Sequence, residues 1–130
     1  MMHRKFLIIA ACSGFIAVML GAFGAHGLKS VLDSAAMGTY KTAVQYQLAH
    51  TLALLAVGLW LHTTESLAQS LRIAGWCFTG GILLFSGSLY ALAMGAPKAL
   101  GPITPVGGLL FMAGWFNLLI AAWRLPAQKQ

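Results

Sequence analysis

The stretch VQYQLAHTLALL, residues 44–55, sets Gln45, Tyr46, Gln47 and His50 inside an otherwise apolar run. On a helix Tyr46, Gln47 and His50 share one face, because positions i, i+1 and i+4 point the same way. Imidazole, amide and phenol together offer donors, acceptors and a group that titrates near neutrality. Groups of the same kind recur at His26, Ser86, Ser88, Tyr90 and Thr104. The candidate ligand-binding residues are therefore His26, Tyr46, Gln47, His50, Ser86, Ser88, Tyr90 and Thr104. Such a set suits a lipid headgroup or a small polar molecule, and His26 with His50 would make a proton-responsive pair. The plainer reading is structural. Ser, Tyr, Gln and His hydrogen-bond across membrane helices, each such bond being worth about 0.6 kcal/mol on average.

Other chemistries fit the residues less well. Two histidines without a neighbouring carboxylate or thiolate fall short of a metal ligand set, so neither a metal nor a cofactor is expected. A Ser–His nucleophile wants an orienting acid. Asp33 and Glu65 are the only acids in the chain, and both lie outside the apolar runs. No catalytic residue is assigned. Cys12 and Cys77 read as free thiols that pack like small apolar residues. The loop around residues 62–72 carries Glu65 and Arg72 and nothing resembling a catalytic motif.

These residues need elements to position them, and the composition says which. Apolar residues make up 59% of the 130 and charged residues 8%, with a mean hydropathy of +0.81. A soluble domain carries roughly 25% charged residues, so the solvent here is lipid. Four uncharged runs, Phe6–Leu28, Thr42–Thr64, Ile73–Pro97 and Ala99–Trp123, can each cross a bilayer, since a core about 30 Å thick needs roughly 20 apolar residues as a helix. The expected fold is an all-α integral membrane protein. It is a single domain over residues 1–130, a bundle of four transmembrane helices at about 6–26, 40–62, 72–95 and 105–124 by run length. The first run has the parts of a signal peptide, and IAAC at 9–12 resembles a lipoprotein cleavage box. The apolar stretch before Cys12 is too short for that, so the segment is kept as the first helix.

Leu28, Val31, Leu32 and Ala35 repeat at helical spacing and predict a short amphipathic outer segment between helices 1 and 2. Thr39 is a candidate cap for the second helix. Gly95 suits a helix C-terminus, and Thr104-Pro105 suits an N-cap with a proline at the first helical position. Small residues recur on one face of the first helix at Ala10, Gly14, Ala17, Gly21 and Gly24, and on the third at Gly80, Gly87, Ala91 and Gly95. They permit close helix packing, within the bundle or between copies. Gly14, Gly80 or Gly87 is expected near a helix contact, and a homo-oligomer is expected with it.

The net charge of +6 is scattered singly or as one pair, which is anchoring and not a nucleic-acid surface. Arg4, Lys5, Arg72, Arg124 and Lys129 fall on the side of the termini, against Lys29, Lys41 and Lys98 on the other. By the positive-inside rule both termini are cytoplasmic. Trp60, Trp76 and Trp123 lie near the inner helix ends and Tyr40, Tyr46 and Tyr90 toward the outer ends. Most polar groups fall in the outer half. Tyr46, Gln47 and His50 should face the bundle interior, with His26, Ser86, Ser88 or Tyr90 as their partners, because unpaired polar groups in hydrocarbon are costly.

Four blocks carry a resemblance: SGFIAVMLGAFGAHGL (13–28), YKTAVQYQLAHTLALL (40–55), FSGSLYALAMG (85–95) and GPITPVGGLLFMAGW (101–115). In order, over nearly the whole chain, they resemble the YgdD/YwdK-like family of small bacterial inner-membrane proteins, which has a small eukaryotic transmembrane relative. The resemblance implies a four-helix, multi-pass protein of the inner membrane and brings no activity, substrate or catalytic residue. The family pattern highlights His26, Tyr46, Gln47, His50, Ser86, Ser88, Tyr90, Thr104 and Pro105. The leading expectation is a non-enzymatic protein that binds a lipid, a small amphiphile or a partner membrane protein through the outer polar cluster. A small oligomeric transporter or channel subunit is the alternative, weakened because no acid lies within a span. A membrane-embedded enzyme comes last.

Overall fold

A computed structural model describes residues 1–126 of the chain. Lys129, counted above among the basic residues, lies outside the described residues. Helix α1 runs Met2–His26 and α2 runs Ser34–Thr63. Helix α3, Ala68–Gly81, continues without a break through a π-turn at Ile82–Ser86 into α4, Gly87–Ala93. A 3₁₀ turn at Lys98–Leu100 leads into α5, Ile103–Trp123. Four stretches are long and apolar enough to cross a membrane: Met2–His26, Ser34–Thr63, Ala68–Ala93 and Lys98–Trp123. Both ends of the described chain and the 64–67 turn lie at one face, called here the terminal face. The 27–33 turn and the 94–102 loop lie at the far face.

Helix α2 starts at Ser34 and not near residue 40, because Asp33 caps it: the carboxylate accepts from the Ala36 N–H at 2.8 Å. Thr39, expected as the cap, is already inside the helix and donates its hydroxyl back to the Ala35 carbonyl at 3.2 Å. The expected amphipathic segment is consequently split. Residues 27–33 form a compact turn, and Ser34–Lys41 are the first turns of α2. Leu28 does not lie on the membrane surface but is buried against Tyr40 and Ala93. Gly95 does stop the third span. Its φ of 91° lets the Gly95 N–H reach the Leu92 carbonyl and the Ala96 N–H reach the Ala91 carbonyl, a Schellman closure. Helix α5 begins at Ile103, one residue before Thr104. Thr104 cannot serve as its cap, because its hydroxyl is taken by Ser88 at 2.6 Å. Pro105 then sits in the first turn, where its missing N–H has no helical partner to lose.

The four spans do not close into a symmetric ring. α1 packs along α2 through Ala10, Ser13, Ala17 and Gly24, all buried, and scarcely touches α3. α5 packs on α3 and the π-turn. There Gly107 is required, since a Cβ would run into the backbone of Phe85. α2 is central and touches α1, α3, the π-turn and α4. The glycines singled out by spacing fare differently. Gly14 and Gly80 face side chains of Thr51 and Leu110, but Gly87 faces open space.

Packing is layered along the membrane normal. Phe6, Leu54, Val57, Leu71 and Phe78 make a dry core toward the terminal face, and Leu28, Tyr40 and Ala93 make a smaller one at the far face. Between them lies a polar belt. It is at mid-span and not only in the outer half as expected, since Ser13 stands near the middle of α1 and Gln47 near the middle of α2.

Candidate functional site

The belt is a chain of hydrogen bonds across three spans. Thr51 and Ser13 share a bond between their hydroxyls at 2.7 Å. The Gln47 amide nitrogen donates to the Ser13 carbonyl at 3.1 Å and to its Oγ at 3.3 Å. The Gln47 amide oxygen accepts from the Tyr90 hydroxyl at 2.6 Å. The orientation of the amide follows: a carbonyl can only accept, so the nitrogen must face Ser13. Nearby, Ser86 donates to the Ala43 carbonyl at 2.8 Å, tying the π-turn to α2. Ser88 shares its hydroxyl between the Phe85 carbonyl and Thr104, tying α4 to α5. Tyr40 donates to the Leu20 carbonyl of α1 at 2.5 Å.

His50 belongs to a second arrangement, an aromatic seam between α2 and α5. It is 7% exposed and stacked on Phe111 with ring centroids 3.6 Å apart and planes 11° apart. Its Nδ1 meets the Tyr46 carbonyl at 2.8 Å, and its Nε2 meets the Trp115 indole N–H at 3.1 Å. The carbonyl can only accept and the indole can only donate. The imidazole is therefore the neutral Nδ1–H tautomer. Its expected partners, His26, Ser86, Ser88 and Tyr90, are not the ones it has. The link to another helix comes from Trp115, which the spacing argument did not single out. Trp115 is 51% exposed, but within a membrane span an indole N–H finds no partner in hydrocarbon, and His50 on the facing helix supplies the acceptor.

The remaining candidates separate. His26 is exposed at the end of α1 and makes no side-chain hydrogen bond, so it joins neither arrangement and forms no pair with His50. Tyr46 is 43% exposed and does not face the interior as expected. It leans on Phe85, with centroids 4.6 Å apart. Ser13 and Thr51 were missed as members of the belt. Ser13 shares a face with Ala10 and Ala17, and Thr51 follows Gln47 by one helical turn, so the register carried the signal. Among the described residues no buried side-chain nitrogen or oxygen lacks a partner, and no three of His, Cys, Asp or Glu gather as a metal ion needs. Cys12 and Cys77 are free thiols.

The belt nevertheless borders a cavity. Because α1 leans away from the third span, a groove of about 520 Å³ runs between them. That volume falls in the range of roughly 300–1,000 Å³ usual for ligand pockets. Ile8, Ile16 and Leu20 wall it on α1, and Ile82 and Leu83 on the π-turn. Ser13, Gln47, Ser86 and Tyr90 line its floor, but Ser13, Gln47 and Tyr90 are bonded to one another and Ser86 to the Ala43 carbonyl, so the exposed lining is aliphatic. Gly87 keeps it open, having no atom within 4 Å of where a side chain would start. The π-turn shapes one wall, and such turns are common at functional sites.

Four apolar spans, a mid-membrane polar belt and a lateral groove define an integral, multi-pass membrane protein of the α-bundle class. Residues 20–108 match the family described as "Protein of unknown function (DUF423)", and the chain belongs to that family. A UPF0382 membrane protein of Haemophilus influenzae is 45% identical over 123 residues, covering 95% of this chain and 97% of its own. The UPF0382 inner membrane protein YgdD of Escherichia coli is 43% identical over 131 residues, covering 96% and 94%. A UPF0382 membrane protein of Staphylococcus epidermidis is 46% identical over 118 residues, covering 91% and 94%. No solved structure matches the chain.

Proposed function

We propose that this protein is a non-enzymatic membrane protein that retains a membrane lipid, with an acyl chain lying in the groove between α1 and the third span. The observation that carries this reading is the groove itself: aliphatic walls over a belt whose polar atoms are already bonded, opening sideways within the spanning segments. Such a lining takes a hydrocarbon chain and has no free donor to orient a polar solute. The reading against an enzyme is supported by His50, whose two nitrogens meet a carbonyl and an indole and no nucleophile. The transporter alternative is weakened by the dry layer of Phe6, Leu54, Val57, Leu71 and Phe78 between the belt and the terminal face. The protein is placed in the bacterial plasma membrane, which agrees with the name of the Escherichia coli relative. Cytoplasmic termini follow from the basic residues at that face.

Native mass spectrometry from nanodiscs tests the groove. The wild-type chain should leave the disc carrying lipid, and Gly87→Leu should leave bare. The new side chain grows into empty space, so helicity and thermal stability should hold. Equal lipid retention by Gly87→Leu would overturn the placement. A mass of two chains without lipid would instead assign the groove to a second copy.

A further inference from the structure

A second cavity, of about 490 Å³, lies at the terminal face where α1 begins, α2 ends and α3 begins. Its lining is unlike that of the groove. His3, His62, Thr64, Glu65 and Arg72 border it, and the His3 and His62 rings stand 4.8 Å apart, tilted by 53°. The imidazoles come from different spans and are brought together by the α1–α2 packing. Arg4 and Lys5 follow His3 on the first turn of α1, so Glu65 is the one acid among several basic groups.

The position of this pocket matters as much as its charge. Arg72 precedes Trp76 by four residues and Thr79 by seven, so all three fall on one stripe of α3, and Thr79 lines the groove. Seven residues of helix span about 10 Å. The two cavities therefore lie along one seam between α1 and the third span. They are separated by the edge-on contact of Phe6 with Trp76, at 5.4 Å between centroids. Trp76 is 49% exposed, and a chain can pass over its outer face. A molecule with its hydrocarbon in the groove would put its polar end at the basic pocket. Arginine binds phosphate oxygens in a fork, and imidazole and hydroxyl groups add single bonds. Basic pockets between helices at a membrane face suit phosphate-bearing headgroups.

Resting on the acyl-chain reading of the groove, we propose that the terminal-face pocket binds the phosphate of an anionic phospholipid, through Arg72, His3, His62 and Thr64. The bound lipid is thereby selected by headgroup charge as well as held by its chain. Glu65 opposes that selection and limits it.

Nanodiscs containing equal amounts of phosphatidylglycerol and phosphatidylcholine, with matched acyl chains, test this. Both leaflets have the same composition, so the result does not depend on orientation. Wild-type protein should emerge enriched in phosphatidylglycerol. The double variant His62→Gln with Arg72→Gln should lose that preference by roughly fivefold or more, the factor expected of one basic group near a charged membrane surface. It should still carry lipid of either kind. Glu65→Gln should sharpen the preference. Lys98→Gln removes a charge from the far face and should leave the preference unchanged. His62, Glu65, Arg72 and Lys98 are all exposed, so none of these changes threatens the fold. Equal retention of the two lipids by the wild-type chain would overturn the headgroup site and leave the groove standing. An equal loss from Lys98→Gln would overturn it too, by showing diffuse attraction. Displacement of bound phosphatidylglycerol by millimolar inorganic phosphate would reassign the pocket to free phosphate. A chain that carries no lipid at all would sink the groove and the headgroup site together.

Discussion

The mid-membrane belt and the terminal-face pocket are both polar, and they behave in opposite ways. In the belt every group is used up on another: Thr51 on Ser13, Ser13 on Gln47, Gln47 on Tyr90. In the pocket His3, His62, Glu65 and Arg72 border an open space. The solvent explains the difference. Hydrocarbon offers no substitute partner, so a polar group at mid-span must be satisfied by protein. At the membrane face water serves, so side chains stay free to meet a ligand. A polar cluster deep in a span is thus weak evidence of a site, while a quiet interfacial loop can be the part that binds.

The largest effect expected from this contrast is at Gln47. Gln47→Leu keeps the bulk and removes an amide bonded to both α1 and α4. The Tyr90 hydroxyl loses its acceptor and the Ser13 carbonyl its donor. An unsatisfied buried group costs about 1–3 kcal/mol, so thermal unfolding in detergent should fall by several degrees. An unchanged midpoint would mean that the belt is not structural and that its groups exchange freely with water or lipid.

How far the sequence announced these features depends on which interaction fixed each one. The four spans were legible because uncharged runs such as Ala99–Trp123 have only one comfortable solvent. Gly95 was legible because a positive φ at a helix end nearly demands glycine. The start of α2 was misplaced because apolar spacing from Leu28 to Ala35 drew attention from Asp33, whose cap decides the boundary. Gln47 and Tyr90 were both marked, and Tyr90 was one of the partners expected for the Gln47 face, a pairing the 2.6 Å bond bears out. Which of the expected partners each group takes was not legible. It depends on how α2 rotates against α4, which side chains far along each helix set. His50 was marked, and its partner was not. Trp115 lies on a helix whose backbone stays away from α2, and only large rings bridge that distance. The terminal-face pocket was illegible, since His3 and His62 meet only after α1 and α2 have packed.

The aromatic seam should respond less than the belt. His50→Phe keeps a ring to stack on Phe111 and loses the acceptor for Trp115. Trp115→Phe removes the donor from the other side. Measured as a double-mutant cycle by thermal or denaturant unfolding, the coupling should be about 0.6 kcal/mol and below about 1.7, the range found for membrane hydrogen bonds. A coupling near zero would mean that the 3.1 Å contact carries no net energy and that stacking alone holds the seam.

The smallest effect on stability belongs to the faces, and it yields the sharpest reading of the contrast. In a background with Cys12 and Cys77 replaced, single cysteines are placed at Glu65, Ser86 and Lys98. Glu65 and Lys98 are exposed at opposite faces, and neither side chain holds anything in place, so the unfolding midpoint should not move. Ser86 is 1% exposed and bonded to the Ala43 carbonyl, so its thiol should stay unreacted until the protein unfolds. An impermeant maleimide added to intact cells should label Lys98→Cys, and Glu65→Cys should react only after the membrane is opened. Labelling of Glu65→Cys on intact cells would invert the orientation drawn from the basic residues. The terminal-face pocket would then face outward, while the closed belt and the open pocket would stay as different as before. Rapid reaction at Ser86→Cys would be the more serious result. It would mean that water reaches the belt through the groove, and that a buried polar layer in this bundle is not sealed by its own hydrogen bonds.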